Sequence, residues 1–128
     1  MSNSTVRPVL LVDALVSGAT GLLLAFAAPM LESWLGLPAA LLRSAGLVLL
    51  PFAVAVAWLG SQAAPPKAGI QAIIAINFAW VAASILLLVA GGVNPTALGV
   101  AFVLFQAAVV FVLGELQFMG LRKAAKIA

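Results

Sequence analysis

The chain has 128 residues, 66% of them hydrophobic and 7% charged, with a mean hydropathy of +1.29. Six basic and three acidic side chains cannot coat a soluble domain of this length, so the composition describes an integral membrane protein whose solvent is largely lipid. With no Cys and no His it has no disulfide framework, thiol redox pair, imidazole metal site or histidine ligand for haem. The net charge of +3 and pI near 10.3 do not indicate nucleic acid, because the basic residues stand at segment ends, where membrane topology accounts for them.

The first apolar stretch, 8–28, follows Arg7 and contains "VLLVDALVSG", with Asp13 inside it. Read as a cleaved leader it is too long, because leader cores run about 7–15 residues and seldom hold an aspartate; it is read instead as the first transmembrane helix. A central aspartate costs ~2.5–3.5 kcal/mol on the insertion scale, whereas each Leu, Val or Phe returns ~0.3–0.6, so the helix inserts despite the charge. Asp13, Ser17, Thr20 and Gly21 share one face at helical spacing. For the last three the expected role is a packing seam of small residues.

The connection "PMLESWLGL" reads as a loop at the outer surface, part of which could lie flat as a short amphipathic segment. The second helix is expected over 38–59. Arg43, one turn inside it, is a candidate partner for Glu32 in an outer-interface ion pair. After "GSQAAPPK" the third helix is expected over 68–90, with Asn77, Trp80 and Ser84 on one face. After "GGVNP" the fourth is expected over 96–119, with Asn94 as its N-cap, followed by a basic tail, 120–128. Each stretch is close to the ~20 residues that cross a ~30 Å hydrocarbon core. Proline stands at or just before every start, at Pro8, Pro38, Pro66 and Pro95, where a missing N–H costs nothing. Trp34 and Trp58 read as interfacial anchors.

The fold class is therefore an all-α membrane protein: one transmembrane domain, 1–128, of four helices in an up-down-up-down bundle. Short connections make consecutive helices antiparallel neighbours. Arg7, Lys67, Arg122, Lys123 and Lys126 fall on one side, which predicts cytoplasmic N- and C-termini and a multi-pass protein of the bacterial inner membrane. A faint internal repeat aligns "DALVSGATGLLLAFA" from Asp13 with "NFAWVAASILLLVAG" from Asn77. This would be a parallel repeat about an axis along the membrane normal, and it places Asp13 and Asn77 at comparable depth.

Asp13, Asn77 and Glu115 form the candidate intramembrane polar site. One explanation of Asp13 is structural: it lies near the helix start, where the positive end of the dipole and penetrating water favour an anion. The other is functional, since intramembrane acids commonly mark ion or substrate paths, and desolvation without a cation favours the uncharged form of a carboxyl group, as a proton carrier needs. Glu115 has snorkelling as its plainer role. Gln106, nine residues before Glu115, lies about 180° away on the same helix, so at least one of the two should look outward. Gln106 is the candidate contact for an oligomer or membrane-protein partner. No nucleophile–base pair with His or Cys, phosphate-cradling glycine pattern or metal-ligand spacing occurs; the reading is of no enzyme, no metal and no cofactor.

Length, topology and the phrase "APMLESWLGLPAALLRSAGLVLLP" resemble small bacterial four-helix membrane proteins of unknown function, some grouped as DoxX-like. That resemblance implies a four-helix bundle and no assured activity. Size and an acid on the first helix are also similar to small multidrug-resistance transporters, but the strong charge bias and the lack of aromatic residues around Asp13 depart from that pattern. Three functions follow in order of expectation. The first is a non-catalytic accessory or scaffold subunit in the lipid bilayer, packing against itself or a membrane-protein partner. The second is a small proton-coupled transporter or channel using Asp13. The third is a binder of a lipid, quinone or pigment between helices, with Trp80 and Phe78 in contact.

Overall fold

Five helices follow one another in the computed structural model, which describes residues 6–127: α1 (Val6–Phe26), α2 (Ala28–Leu35), α3 (Ala39–Ser61), α4 (Lys67–Ala90) and α5 (Ala97–Ile127). Four of them are long and apolar enough to cross a membrane, over Val6–Phe26, Ala39–Ser61, Lys67–Ala90 and Ala97–Lys123. Their outward side chains include Leu15, Val54, Phe105 and Val89, all at least 70% exposed. Large aliphatic and aromatic groups displayed on every long helix suit lipid as the surrounding medium, not water. Such a bundle is a multi-pass integral membrane protein.

The structure departs from the sequence reading in four places. The first connection is not simply a loop: Ala28–Leu35 forms the short helix α2, with Pro29 in its first turn and Gly36 closing it at φ 71. It buries Ala28, Leu31 and Leu35 while Met30 and Trp34 stay exposed, so the apolar spacing suffices for about two turns of amphipathic helix. The tail after residue 119 is not separate, because α5 runs on to Ile127; nothing in "GLRKAAKI" breaks a helix. The cap of α5 is Thr96 rather than Asn94, for Thr96 Oγ1 accepts the Gly99 N–H at 3.1 Å. Finally, consecutive helices are not all close neighbours. α1 packs most extensively on α3 and α4 on α5, whereas α3 and α4 barely touch.

Small residues explain the first of these pairings. A Cβ on Gly46 would stand 2.5 Å from the Ala25 nitrogen and 2.7 Å from the Gly21 carbonyl oxygen, so backbone meets backbone where α1 crosses α3, as small residues permit in membrane helices. Within α3, Pro51 removes the N–H that would have bonded the Leu47 carbonyl.

Apolar side chains gather at the two ends of the bundle. Leu24, Leu31, Leu35, Leu37, Leu42 and Val103 fill the end capped by α2. Val6, Leu10, Val56, Leu59, Ile70 and Ile73 fill the other, where the basic residues Arg7, Lys67, Arg122 and Lys123 also lie. Trp34 and Trp58 are exposed near opposite ends. The polar residues occupy the space between these two cores.

Candidate functional site

Asp13 lies about 10 Å from the start of α1 at ~1.5 Å per residue. It follows Val6 and Leu10 on the inward stripe and is 1% exposed. Its carboxylate meets donors from three helices. Ser17 Oγ, one turn on, donates to Oδ1 at 3.0 Å. Asn77 Nδ2, from α4, donates to Oδ2 at 2.8 Å, and Gln117 Nε2, from α5, donates to the same oxygen at 2.7 Å. Asn77 Nδ2 also donates to Gln117 Oε1 at 2.9 Å, which closes a ring of Asp13, Asn77 and Gln117. All three are buried, Gln117 completely.

Among the described residues no cation bonds to this ring. Arg7, from the same helix, donates through Nε to the Gly60 carbonyl at 3.2 Å, where it satisfies the end of α3 and complements its dipole. Neutral N–H and O–H groups therefore carry the compensation of Asp13. Buried polar groups of this kind are stable only when each finds partners, and here three helices must be in register for that to hold.

A second polar group sits further along the axis. Trp80 Nε1 donates to Gln106 Oε1 at 2.8 Å; Gln106 Nε2 donates to Ser84 Oγ at 2.9 Å and to the Val103 carbonyl at 2.8 Å. Ser84 Oγ in turn donates to the Trp80 carbonyl at 2.8 Å. Trp80 and Ser84 belong to α4 and Gln106 to α5, so this group braces that pair.

Of the residues singled out from the sequence, the structure brings Asp13 and Asn77 into direct contact and leaves Glu115 apart, exposed on the outer side of α5. Gln117 takes the place expected for Glu115. The signal for it was present: Gln106 and Gln117 are eleven residues apart, about three turns plus 20° at 100° per residue, and so share the inward face. Gln106, expected as a candidate partner contact, is half-buried and bonded to Trp80, Ser84 and the Val103 carbonyl, so of the opposed pair it is Glu115 that is exposed. Glu32 and Arg43 are both exposed, and among the described residues no ion pair joins them. Phe78 packs edge-on against Phe111, ring centres 5.7 Å apart, with its ring lying over Gly114; it serves the α4–α5 contact and lines none of the voids.

Three voids flank the braces. One of about 320 Å³ lies toward α2, between Leu24, Leu37, Leu41, Leu87 and Phe102. One of about 370 Å³ lies toward the basic end, between Ser17, Phe52, Ala55, Ile73 and Asn77. The third, of about 350 Å³, opens between α1 and α5 beside Val16, Thr20, Phe105 and Val109. The first two together border α4 from Ile73 to Leu87, roughly 21 Å at ~1.5 Å per residue. Each of these two is lined by residues of all four long helices. Val48 and Ile76 border them yet are 59% and 47% exposed, so the space opens sideways through the gap between α3 and α4.

The site is thus a lined, laterally open axis in a four-span helical membrane protein, clasped near one end by a buried carboxylate. No protein-family model, curated protein or solved structure matches the chain, and the functional reading rests on the residues themselves.

Proposed function

We propose that this is a non-catalytic protein of the bacterial inner membrane, with both termini cytoplasmic, whose bundle axis holds a compact lipophilic molecule drawn from the bilayer. The observation that carries the reading is that the two axial voids are each lined by residues of α1, α3, α4 and α5 together, while opening sideways between α3 and α4. An α-helix of a partner, ~10–12 Å across with its side chains, does not fit along such an axis; a small apolar molecule does. Volumes near 300 Å³ and above are those of small-molecule sites, which are mostly apolar with a few fixed polar groups. Asn77 commits its Nδ2 to Asp13 and Gln117, while its Oδ1 takes part in neither bond and is suited to accept a hydrogen bond from the occupant. The Asp13 ring is then a clasp that keeps the axis assembled.

This reading reverses the order expected from sequence. The accessory or scaffold role draws in part on the opposed faces of Gln106 and Glu115, of which Gln106 bonds within the bundle and Glu115 is exposed. Proton carriage through Asp13 gains no support from a ring in which both carboxylate oxygens already meet donors. The DoxX-like resemblance is compatible with the proposal and adds no ligand to it.

Removing bound lipophiles tests the proposal. Thermal stability of the detergent-purified protein should fall on exhaustive delipidation and recover when a membrane extract is added back, since a ligand bound only by the folded form stabilises it. Ala55→Phe and Ala83→Phe, combined so that both voids are filled, should abolish that difference. A wild-type protein as insensitive to delipidation as the filled variant would exclude an occupied axis.

A further inference from the structure

Trp80 is the single residue that borders all three voids. Its indole does not hang free there: Nε1 is tied to Gln106 Oε1 at 2.8 Å, and Gln106 is itself held by Ser84 Oγ and the Val103 carbonyl. The ring is thereby pinned across the axis, and the two axial voids share only Val48 and Trp80 in their walls. Val48 borders them at the lateral opening, 59% exposed, which leaves Trp80 as the inner residue common to both.

We infer that Trp80, pinned by Gln106, is the specificity-determining residue of the axis, dividing it into two compartments so that it accepts a compact, ring-sized lipophile and excludes a long extended chain. The inference rests on the ligand-holding axis proposed above. Size decides the class. A dry apolar cavity of ~150 Å³ takes one benzene, so compartments of about 320 and 370 Å³ match a molecule of two fused rings. An extended fatty-acyl chain lying along the axis would need both compartments joined, and the indole stands between them. The compartment toward the basic end also presents Ser17 and Asn77, giving a hydroxyl on the occupant a place to donate. The other presents Thr20, Ser44 and Ser84, hydroxyl groups set in walls otherwise built of aliphatic and aromatic carbon.

Binding of two probes to delipidated full-length protein in detergent tests this: 2-naphthol, a two-ring alcohol, and cis-parinaric acid, a long-chain polyene fatty acid. Wild type should prefer naphthol. Trp80→Ala should shift the ratio of affinities toward parinaric acid by about tenfold or more, the equivalent of ~1.4 kcal/mol. Gln106→Leu, which keeps the indole and removes its pin, should shift the ratio the same way by less, and serves should Trp80→Ala fail to fold. Unchanged ratios in both variants, with naphthol still bound, would overturn the gauge and leave the ligand-holding axis standing. Failure of wild type and both variants to bind either probe would overturn the axis as a ligand site and the gauge with it.

Discussion

Asn77 on α4 donates its side-chain N–H to Asp13 on α1 across 2.8 Å, joining residues 64 positions apart. Because the same nitrogen also bonds Gln117 on α5, one amide group links three of the four spans. Asn77→Leu removes both bonds and leaves Asp13 short of a donor in a water-poor interior. Loss of a buried partner costs about 1–3 kcal/mol, and interhelical bonds in membranes average lower, ~0.6 with a maximum near 1.7. A loss of about 1–2 kcal/mol in detergent unfolding is expected, and a similar loss for Gln117→Leu. The two losses should not add, since both act on one ring. Asp13→Asn should be nearly neutral: its carbonyl can accept from Asn77 and Gln117, and its amide can donate to Ser17 once that hydroxyl turns. If Asp13→Asn costs as much as Asp13→Leu, the ring is not the clasp described.

The seam between α1 and α3 offers a contrast on one pair of helices. Gly46→Ala forces a methyl group against the backbone of Ala25 and Gly21, where nothing can rotate away; overpacking of this kind costs about 1–3 kcal/mol. A Cβ on Gly18 meets only the Ala53 methyl, at 3.6 Å, an ordinary contact. Gly18→Ala should therefore be tolerated or slightly stabilising in helix propensity. Equal unfolding stabilities for the two variants would remove the close crossing from the account.

Thr96 holds α2 to the start of α5. Its Oγ1 donates to the Trp34 carbonyl at 2.8 Å and caps Gly99, while its N–H donates to the Leu35 carbonyl at 2.9 Å. Thr96→Val keeps the backbone bond and loses the other two, at a cost of about 1 kcal/mol typical of a lost cap. Amide hydrogen exchange should accelerate over 28–36 in the variant and remain unchanged over α4. Uniform acceleration throughout the chain would mean that α2 is not a separately held element.

Much of this fold is legible in the sequence, for a definite reason. Four apolar runs bounded by prolines leave little freedom in a solvent where every backbone N–H must be bonded within its own helix. The depth match of Asp13 with Asn77 was readable from their alignment, and the two do meet. The rest depended on facing, which spacing constrains only when the inward stripe is known. Glu115 stands out in the sequence because it is charged, but the structure leaves it exposed on the outer side of α5, while the neutral Gln117 two residues on is buried outright. Gln106 poses a related difficulty: two polar residues on opposite faces require that one turn outward, and spacing alone does not say which. The weak contact of α3 with α4 had no sequence signal, since a short connection fixes which helices follow one another and not how closely they pack.

The proposed orientation rests on the clustering of Arg7, Lys67, Arg122 and Lys123 at one end of the bundle. Reporter fusions after Lys126 should report the cytoplasm, and fusions within 91–95 the opposite side, because Lys and Arg near span ends set orientation. Reversing Lys67, Arg122 and Lys123 to Glu together should weaken that bias. An external carboxy terminus in the unaltered protein would invert the proposed orientation.

Native mass spectrometry of the protein extracted from its own membranes tests the occupied axis most directly. The account predicts a chain carrying at least one non-covalently bound small molecule that survives removal of the detergent and is missing when Ala55→Phe and Ala83→Phe are combined. A wild-type spectrum showing only the bare chain, indistinguishable from that of the filled variant, would contradict it.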